Sequence, residues 1–324
     1  MDVLEREDRF VVVTHESPDG DAAGSTVAFA RHLRDRGKSF SVLLPSALDE
    51  RFEFLARDLD VQVYEPMLHE SVVLETPAIV VLDTSQWNLL GRLADPISRS
   101  PAVRVVIDHH RGPSDLAQVA AIDPDASSTA ELVYDLLQRL GATIDGLSAA
   151  SLFTALATDT GWFRFQRVGP DVFRAAADLL SKGISAYDLY TRIFESRTWP
   201  GLRLLGETLE HFQPRLGGRA AFLLLDRPTY LRIAQDPLAT EAVLDFGLSV
   251  REVEVCALLR EGEGGRIKIS IRSKGRVDVA AIAGRLGGGG HHNASGVLMD
   301  GPLGLAADRL ERVLQPVLEA LSDR

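Results

Sequence analysis

The chain has 324 residues, 45% of them apolar and 25% charged, and 35 Lys and Arg against 46 Asp and Glu leave a net charge of −11. This length exceeds what one core usually organises, so two domains are expected. The acidic balance excludes a protein that wraps long nucleic acid through a basic face, because phosphate neutralisation dominates that kind of affinity, but it leaves room for a short phosphorylated ligand.

The acidic stretch Met1 to Arg9 leads directly into a strand and lacks the basic segment and apolar run of a signal peptide. Arg9 to Thr14 reads as a buried strand. After the Pro18-Asp19-Gly20 turn comes a helix carrying Val27, Ala30 and Leu33 and stopping at Gly37. Strands return at Phe40 to Leu44, Val61 to Tyr64, Ala78 to Leu82 and Val103 to Ile107. Continuous Val, Ile and Leu strands alternating with helices indicate a parallel sheet covered on both faces.

From Ser127 to about Gln213 the pattern is mostly helical: Ser128 to Leu140, Leu147 to Ala157, Asp171 to Ser181, Tyr187 to Glu195 and Leu202 to Phe212. The last two are joined at Trp199-Pro200-Gly201. Strands follow at Ala220 to Leu225, Val253 to Leu259 and Arg266 to Arg272, where Ile267, Ile269 and Ile271 alternate with polar residues. Helices at Val277 to Leu286 and Leu303 to Leu321 complete the chain. The expected architecture is α/β: a parallel-sheet catalytic domain over 1–195, a helical connector over 196–214 and a smaller α+β substrate-binding domain over 215–324. The active site is expected in the inter-domain cleft. No run is long enough to span a membrane, and Cys256 reads as a small core residue, so cytoplasm is the expected compartment.

Five polar segments interrupt this pattern: His15-Glu16-Ser17-Pro18-Asp19-Gly20-Asp21, Asp83-Thr84, Asp108-His109-His110, Asp159-Thr160-Gly161 and Gly287 to His291. Asp and His bind hard to borderline divalent ions, and the ends of parallel strands bring such residues to one crevice. His15, Asp19 and Asp21 are held close by a turn, Asp19 and Asp21 face different ions, and Asp83 bridges the two. His109 and Asp159 complete the second ion. Taken singly, an Asp after a strand is more often a helix cap and a histidine pair more often solvated; it is the joint occurrence that points to metal. Asp108 is expected to orient a ligating imidazole. His110 is expected to contact the attacked phosphate or to give a proton to the leaving oxygen.

Gly287 to Gly290 is by itself no more than a flexible link, but His291, Asn293 and Ser295 place polar groups where a glycine backbone admits a ligand closely. Ser270, Arg272 and Ser273 on the preceding strand add a phosphate fork. Gly289, Gly290, His291 and Asn293 therefore join these three as expected substrate contacts. Arg164, Arg167, Arg266, Lys268, Lys274 and Arg276 offer further local positive charge.

These residues resemble the motifs of the DHH phosphoesterase superfamily, which takes its name from the motif seen here as Asp108-His109-His110. Thr14 to Asp21 looks like its first motif, Leu82-Asp83-Thr84 its second and Thr158-Asp159-Thr160-Gly161 its fourth. Gly288 to Gly296 looks like the glycine-rich motif of the C-terminal domain in its nuclease branch. Size and spacing are most similar to the nanoRNase and 3′-phosphoadenosine 5′-phosphate phosphatase group.

That resemblance implies release of mononucleotides from very short RNA or linear dinucleotides, and conversion of 3′-phosphoadenosine 5′-phosphate to AMP. Two divalent ions would serve it, manganese ahead of magnesium or cobalt. It places His15, Asp19 and Asp83 on one ion and Asp21, Asp83, His109 and Asp159 on the other. His110, Arg272, His291 and Asn293 fall on the substrate phosphates. No stable complex with long nucleic acid and no membrane partner is expected, and a homodimer is compatible with the sequence. Two other readings remain at this point, a metal-dependent nucleotide-binding regulator without turnover and a pyrophosphatase-like phosphohydrolase.

Overall fold

The computed structural model describes residues 2–110, 115–233 and 243–322. The chain divides into two compact units, Met1–Ser196 and Arg197–Arg324. No helix among the described residues is long and apolar enough to cross a membrane.

Unit 1 holds a sheet of six strands: β1 (Arg9–Val13), β2 (Ser39–Leu44), β3 (Val61–Val63), β4 (Ala78–Leu82), β5 (Val103–Asp108) and β6 (Val119–Ile122). Their order is β3-β2-β1-β4-β5-β6, and every pairing is parallel. β4, Ala-Ile-Val-Val-Leu, is buried at all five positions, as expected of a central strand covered on both faces. One face packs on Phe29, Leu33, Val133, Leu152, Phe153 and Leu156; the other packs on Leu90, Leu93, Ile97 and Leu116. The order reverses between β1 and β4. Open α/β sheets bind ligands at such a reversal, beyond the carboxyl ends of the strands.

The helices of this unit are α1 (Asp2–Arg6), α2 (Gly20–Asp35), α3 (Glu50–Glu53), α4 (Pro66–Glu75), α5 (Ala94–Arg99), α6 (Thr129–Arg139), α7 (Gly146–Asp159), α8 (Pro170–Ser181) and α9 (Ala186–Phe194). The N-terminal residues form α1, a short helix, before the first strand is reached. Its Val3 is buried in the core, a tertiary contact that a reading of local polarity passes over.

Helix α2 is buried along most of its length and packs on α7. Two glycines permit the approach: a β-carbon at Gly20 would lie 2.3 Å from Thr158 Oγ1, and one at Gly24 would lie 2.2 Å from the Ser151 carbonyl oxygen. The helices run antiparallel, since the start of α2 meets the end of α7 while Arg31 reaches Leu147 O and Ser151 Oγ, both at 2.8 Å. The Arg31 side chain is wholly buried and also pairs with Asp58. Carbonyls and a carboxylate arranged in this way offset the cost of burying a guanidinium.

Unit 2 begins with α10 (Trp199–Glu210). Trp199-Pro200-Gly201 is the first turn of this helix, capped by the Thr198 side chain and with Pro200 in the opening turn, where its missing N–H costs nothing. The sheet of this unit has six strands, where the sequence suggested three: β7 (Phe212–Arg215), β8 (Ala220–Leu225), β9 (Val255–Glu261), β10 (Arg266–Ser273), β11 (Gly289–His291) and β12 (Ala294–Asp300). Their order is β11-β12-β10-β9-β8-β7, parallel only between β8 and β9. Of the three unexpected strands, β7 holds Pro214, β11 is a three-residue segment with two glycines and β12 opens on Ala-Ser-Gly, so local propensity does not announce them. Pro214 sits in the edge strand β7, a place where a missing donor is tolerated.

Ile267, Ile269 and Ile271 of β10 face a core closed by α13 (Val279–Arg285) and α14 (Leu303–Ser322). Leu223, Leu225, Cys256 and Leu258 face a second core with α10, α11 (Arg227–Ile233) and α12 (Val243–Ser249). Cys256 is buried there, and burial pushes its thiol up to about 12, consistent with a packing role. On that same face Lys268 and Arg272 are exposed and Ser270 is half-buried, so the β10 end of the face is open.

Candidate metal centre

Strand ends supply half of the expected ligands. His15 follows β1, Asp83 follows β4, and Asp108-His109-His110 closes β5 and continues past it. The Thr14 hydroxyl donates to the Leu82 carbonyl at 2.7 Å and ties the ends of β1 and β4 together. The remaining carboxylates come from helix ends. Asp19 is the N-cap of α2, with Oδ1 accepting from the Asp21 and Ala22 N–H groups at 3.0 Å each, so it is a helix cap and an exposed candidate ligand at once. Asp21 lies in the first turn of α2. Asp159 is the last residue of α7 and is not at a strand end, and the Gly20 and Gly24 contacts bring it to Asp21.

The geometry gathers these groups into overlapping sets. His15, Asp19 and Asp83 have candidate ligand atoms within 4.8 Å of one another, as do Asp21, His109 and Asp159, and a third set of Asp83, His109 and His110 overlaps both. Asp83 joins the two sets: its Oδ2 lies 3.4 Å from His15 Nε2 and its Oδ1 3.7 Å from His109 Nε2. His109 Nε2 is also 3.8 Å from Asp21 Oδ2 and 3.4 Å from Asp159 Oδ2. Both imidazoles turn Nε2 to the carboxylates and Nδ1 to a backbone carbonyl, that of Glu16 at 2.8 Å and that of Ala126 at 3.4 Å. Those carbonyls favour the proton on Nδ1 and leave Nε2 with its lone pair, the arrangement a metal-ligating histidine needs.

Asp108 acts elsewhere than expected. Its Oδ1 accepts from His110, from the backbone N–H at 3.1 Å and at 2.8 Å from Nδ1; the ligating imidazole of His109 has the Ala126 carbonyl instead. Burial works against the Asp108 charge, but the His110 hydrogen bond and charge outweigh it and hold the carboxyl below its usual range. In return Asp108 raises the His110 imidazole above its ordinary value against the opposing effect of burial. His110 Nδ1 is 3.8 Å from Asp83 Oδ1.

The electrostatics test whether the residues fit divalent ions. Burial, with the charges of Asp83, Asp159 and Asp19 adding to it, raises Asp21 well above the usual carboxylate range. Burial and the charges of Asp19 and Asp83 push Asp159 up to about 8. At His15 burial opposes protonation, yet the hydrogen bond to Asp83 and the charges of Asp19 and Asp83 raise it to about 9. Burial lowers His109, which keeps its imidazole neutral as a ligand must be. Protons are thus held where cations would otherwise balance the negative charge, and four carboxylates with two imidazoles, His15 giving up its proton to the ion, would form a donor set that suits two divalent ions.

Two groups absent from the sequence reading belong to this centre. The N-terminus of α6 grips Asp21: the Thr129 N–H donates to Oδ2 at 2.6 Å and the Ala130 N–H to Oδ1 at 2.9 Å. The start of α6 is fixed by Ser128, which accepts from Glu131 N–H at 3.2 Å, and by Glu131, which accepts from Ser127 N–H at 2.7 Å. The sequence signal was there, Ser-x-x-Glu before an apolar run, but it marks only a helix start. The second group is an aromatic cluster after Asp159, where Trp162 and Phe163 have φ of 62° and 65° and pack with Phe153, Phe173, Tyr190 and Phe194.

In unit 2 the expected substrate contacts divide. Ser270 and Arg272 stand on the open part of the sheet face, and Arg272 Nη1 donates to the Ile271 carbonyl at 3.3 Å. Ser273 points the other way: it is buried, and its hydroxyl donates to the Val277 carbonyl at 2.7 Å, which holds the turn and leaves no place for it in a phosphate fork. The Asn293 carbonyl accepts from Ser273 N–H at 3.0 Å. Gly289 and Gly290 form a strand with His291, paired to Ala294–Gly296, and so are no flexible link. A β-carbon at Gly288 would lie 2.1 Å from the Gly296 carbonyl oxygen, whereas one at Gly289 would meet nothing within 4 Å; the first glycine serves strand packing and the second leaves the surface open. The side chain of His291 lies outside the described residues.

Known proteins share this organisation. The family model described as "DHH family, N-terminal domain" matches residues 9–165, and a DHHA1 domain model matches residues 229–323. The bifunctional oligoribonuclease and PAP phosphatase NrnA of Thermus thermophilus is 33% identical over 96% of this chain and 90% of its own length. NrnA of Bacillus subtilis is 23% identical over 89% of this chain and 88% of its own. Among solved structures, an exopolyphosphatase-related protein from Bacteroides fragilis superposes with a TM-score of 0.90 at 29% identity, covering 98% of this chain and 96% of that one. Domain models over both halves, and a relative this similar along nearly its whole length, show that the chain belongs to the DHH phosphoesterase family.

Proposed function

We propose that the chain is a two-metal phosphoesterase that releases mononucleotides from very short RNA and linear dinucleotides and converts 3′-phosphoadenosine 5′-phosphate to AMP. The observation that carries this reading is that Asp83 links two ligand sets, belonging to the one with His15 and Asp19 and lying 3.7 Å from His109 of the one with Asp21 and Asp159. The substrate class follows the names of the NrnA relatives, which match along nearly the whole chain.

His15, Asp19 and Asp83 would hold one ion, and Asp21, Asp83, His109 and Asp159 the other. When bound, such a pair polarises the phosphoryl group and supplies an activated water near neutral pH. The complete donor set accepts manganese, magnesium or cobalt, and manganese is put first on the family resemblance alone. The complete set favours an enzyme over a regulator without turnover.

His110 is assigned to the leaving group. Asp108 orients its imidazole and stabilises the protonated form, so it holds a proton that can pass to the departing oxygen. Arg272, Ser270, Gly289, Gly290, His291 and Asn293 are assigned to the substrate phosphates, Arg272 as the charged contact. A glycine strand of this kind serves a nucleotide better than pyrophosphate. A cytoplasmic setting fits these substrates.

The test is one panel: a linear dinucleotide, a long RNA, 3′-phosphoadenosine 5′-phosphate and pyrophosphate, assayed side by side with manganese, magnesium and cobalt. The dinucleotide and the bisphosphate should be the preferred substrates. Preference for pyrophosphate, or binding of the nucleotides without turnover under every metal, would overturn the proposal.

A further inference from the structure

Asp83 is the residue that links the two ligand sets, and its backbone is held in an unfavourable state. Its φ is 63°, in the left-handed region that is unfavourable for a residue other than glycine. Such a conformation persists only where neighbours fix it. The Asp83 N–H donates to the Ile107 carbonyl at 3.0 Å, which accounts for the backbone. The carboxylate must also be aimed, because a bridging ligand has to present one oxygen to each ion.

That aim comes from Thr129. Its hydroxyl donates to Asp83 Oδ1 at 2.8 Å, while its N–H donates to Asp21 Oδ2. The residue is fully buried and Asp83 is 2% exposed, so water does not compete for the contact. Thr129 is the first residue of α6, whose cap is independently fixed by Ser128 and Glu131. One residue on a pinned helix end therefore touches a carboxylate of the second ion and the carboxylate common to both.

We propose that Thr129 is a positioning residue of the metal centre, whose hydroxyl orients Asp83 so that it bridges the two ions. The hydroxyl occupies one lone pair of Oδ1 and sets the plane of the carboxylate, with Oδ2 toward His15 and Oδ1 toward His109, the imidazoles that would hold the first and the second ion. Because the Asp21 contact is made by the backbone, removing the hydroxyl alone separates the two functions of this residue. Partners of this kind typically contribute about 10- to 100-fold to metal affinity or activity.

The proposal rests on the two-metal reading, and the experiment separates the two. Wild type, Thr129→Val and Thr129→Ser are titrated with manganese alone by calorimetry, and kcat and KM on a linear dinucleotide are measured with the ion in excess. Thr129→Val should keep its denaturation midpoint within a small margin, weaken binding of at least one ion by about 10- to 100-fold and lose kcat with little change in KM. Thr129→Ser, which keeps the hydroxyl, should bind and turn over close to wild type. Wild-type binding and turnover in Thr129→Val would overturn the proposal. So would a Thr129→Ser variant as impaired as the valine, since the methyl group and not the hydroxyl would then matter. A wild type that binds no manganese would sink the two-metal reading itself and this proposal with it.

Discussion

Replacing Gly24 with alanine should pry α2 from α7 and disturb the metal centre through the helices. The new β-carbon would lie 2.2 Å from the Ser151 carbonyl oxygen and 2.8 Å from the Ala155 side chain, whereas ordinary contact begins at 3.4 Å. The helices must part by about 1 Å to accept it. In an open helix the same change is favourable by ~0.5 to 1 kcal/mol, since alanine gives up less conformational freedom on folding. Overpacking a close contact costs about 1 to 3 kcal/mol, and here the obstacle is backbone, which cannot rotate aside. A net loss of about 1 to 2 kcal/mol is therefore expected. Because Asp21 begins α2 and Asp159 ends α7, the same movement separates two ligands of one ion, and a displacement of about 1 Å can lower a rate by about 100-fold. The assay is the urea midpoint together with kcat/KM on a linear dinucleotide, with Gly206→Ala in α10 as the control. A β-carbon at Gly206 meets nothing within 4 Å, so the control should hold or gain stability. An unchanged midpoint and unchanged turnover in Gly24→Ala would refute the argument that this helix contact sets the distance between Asp21 and Asp159.

Asp83→Ala should abolish turnover and leave at most one tightly held ion, while the protein stays folded because the Asp83 side chain takes no part in the hydrophobic cores on either face of the sheet; metal analysis with a dinucleotide assay checks both parts. The Arg31 hydrogen bond holds the Asp58 carboxyl well below the usual carboxylate range. Stability from this pair is thus fully present above the unfolded-state value of about 3.9 and is lost as pH falls through the lower folded value. Urea midpoints of wild type and Asp58→Asn should differ at neutral pH, where the variant leaves a buried guanidinium short of its carboxylate at a cost of about 3 to 5 kcal/mol, and the difference should shrink steadily as the pH falls from about 3.9 toward the lower folded value. Arg272→Ala should lower kcat/KM on a dinucleotide by about 10- to 100-fold, as expected for a charged phosphate contact of roughly 1.5 to 3 kcal/mol, and should reduce any cleavage of long RNA far less; equal losses on both lengths would show that Arg272 does not select short substrates.

Much of this protein is written in its sequence. Continuous apolar runs such as Ile79 to Leu82 specify central parallel strands, because only a strand covered on both faces tolerates them. Asp and His where those runs end mark the ligand positions, since the strand before each one fixes where it emerges. The alternation of Ile267, Ile269 and Ile271 likewise gives β10 its buried face from side-chain period alone. Other features depend on contacts between residues far apart in the chain. β11 is too short and too rich in glycine to be a strand by propensity and becomes one by pairing with β12, which itself pairs with β10. That Asp108 serves His110 and not His109 follows from the directions in which consecutive residues leave a strand, and that Ser273 locks a turn follows from the position of the Val277 carbonyl. Asp159 reaches the centre only because two glycines of α2 let α7 approach, and Thr129 reaches Asp83 only because a capped helix ends there. Local sequence sets which groups can emerge at a strand end; which of them meet is set by how closely the helices pack.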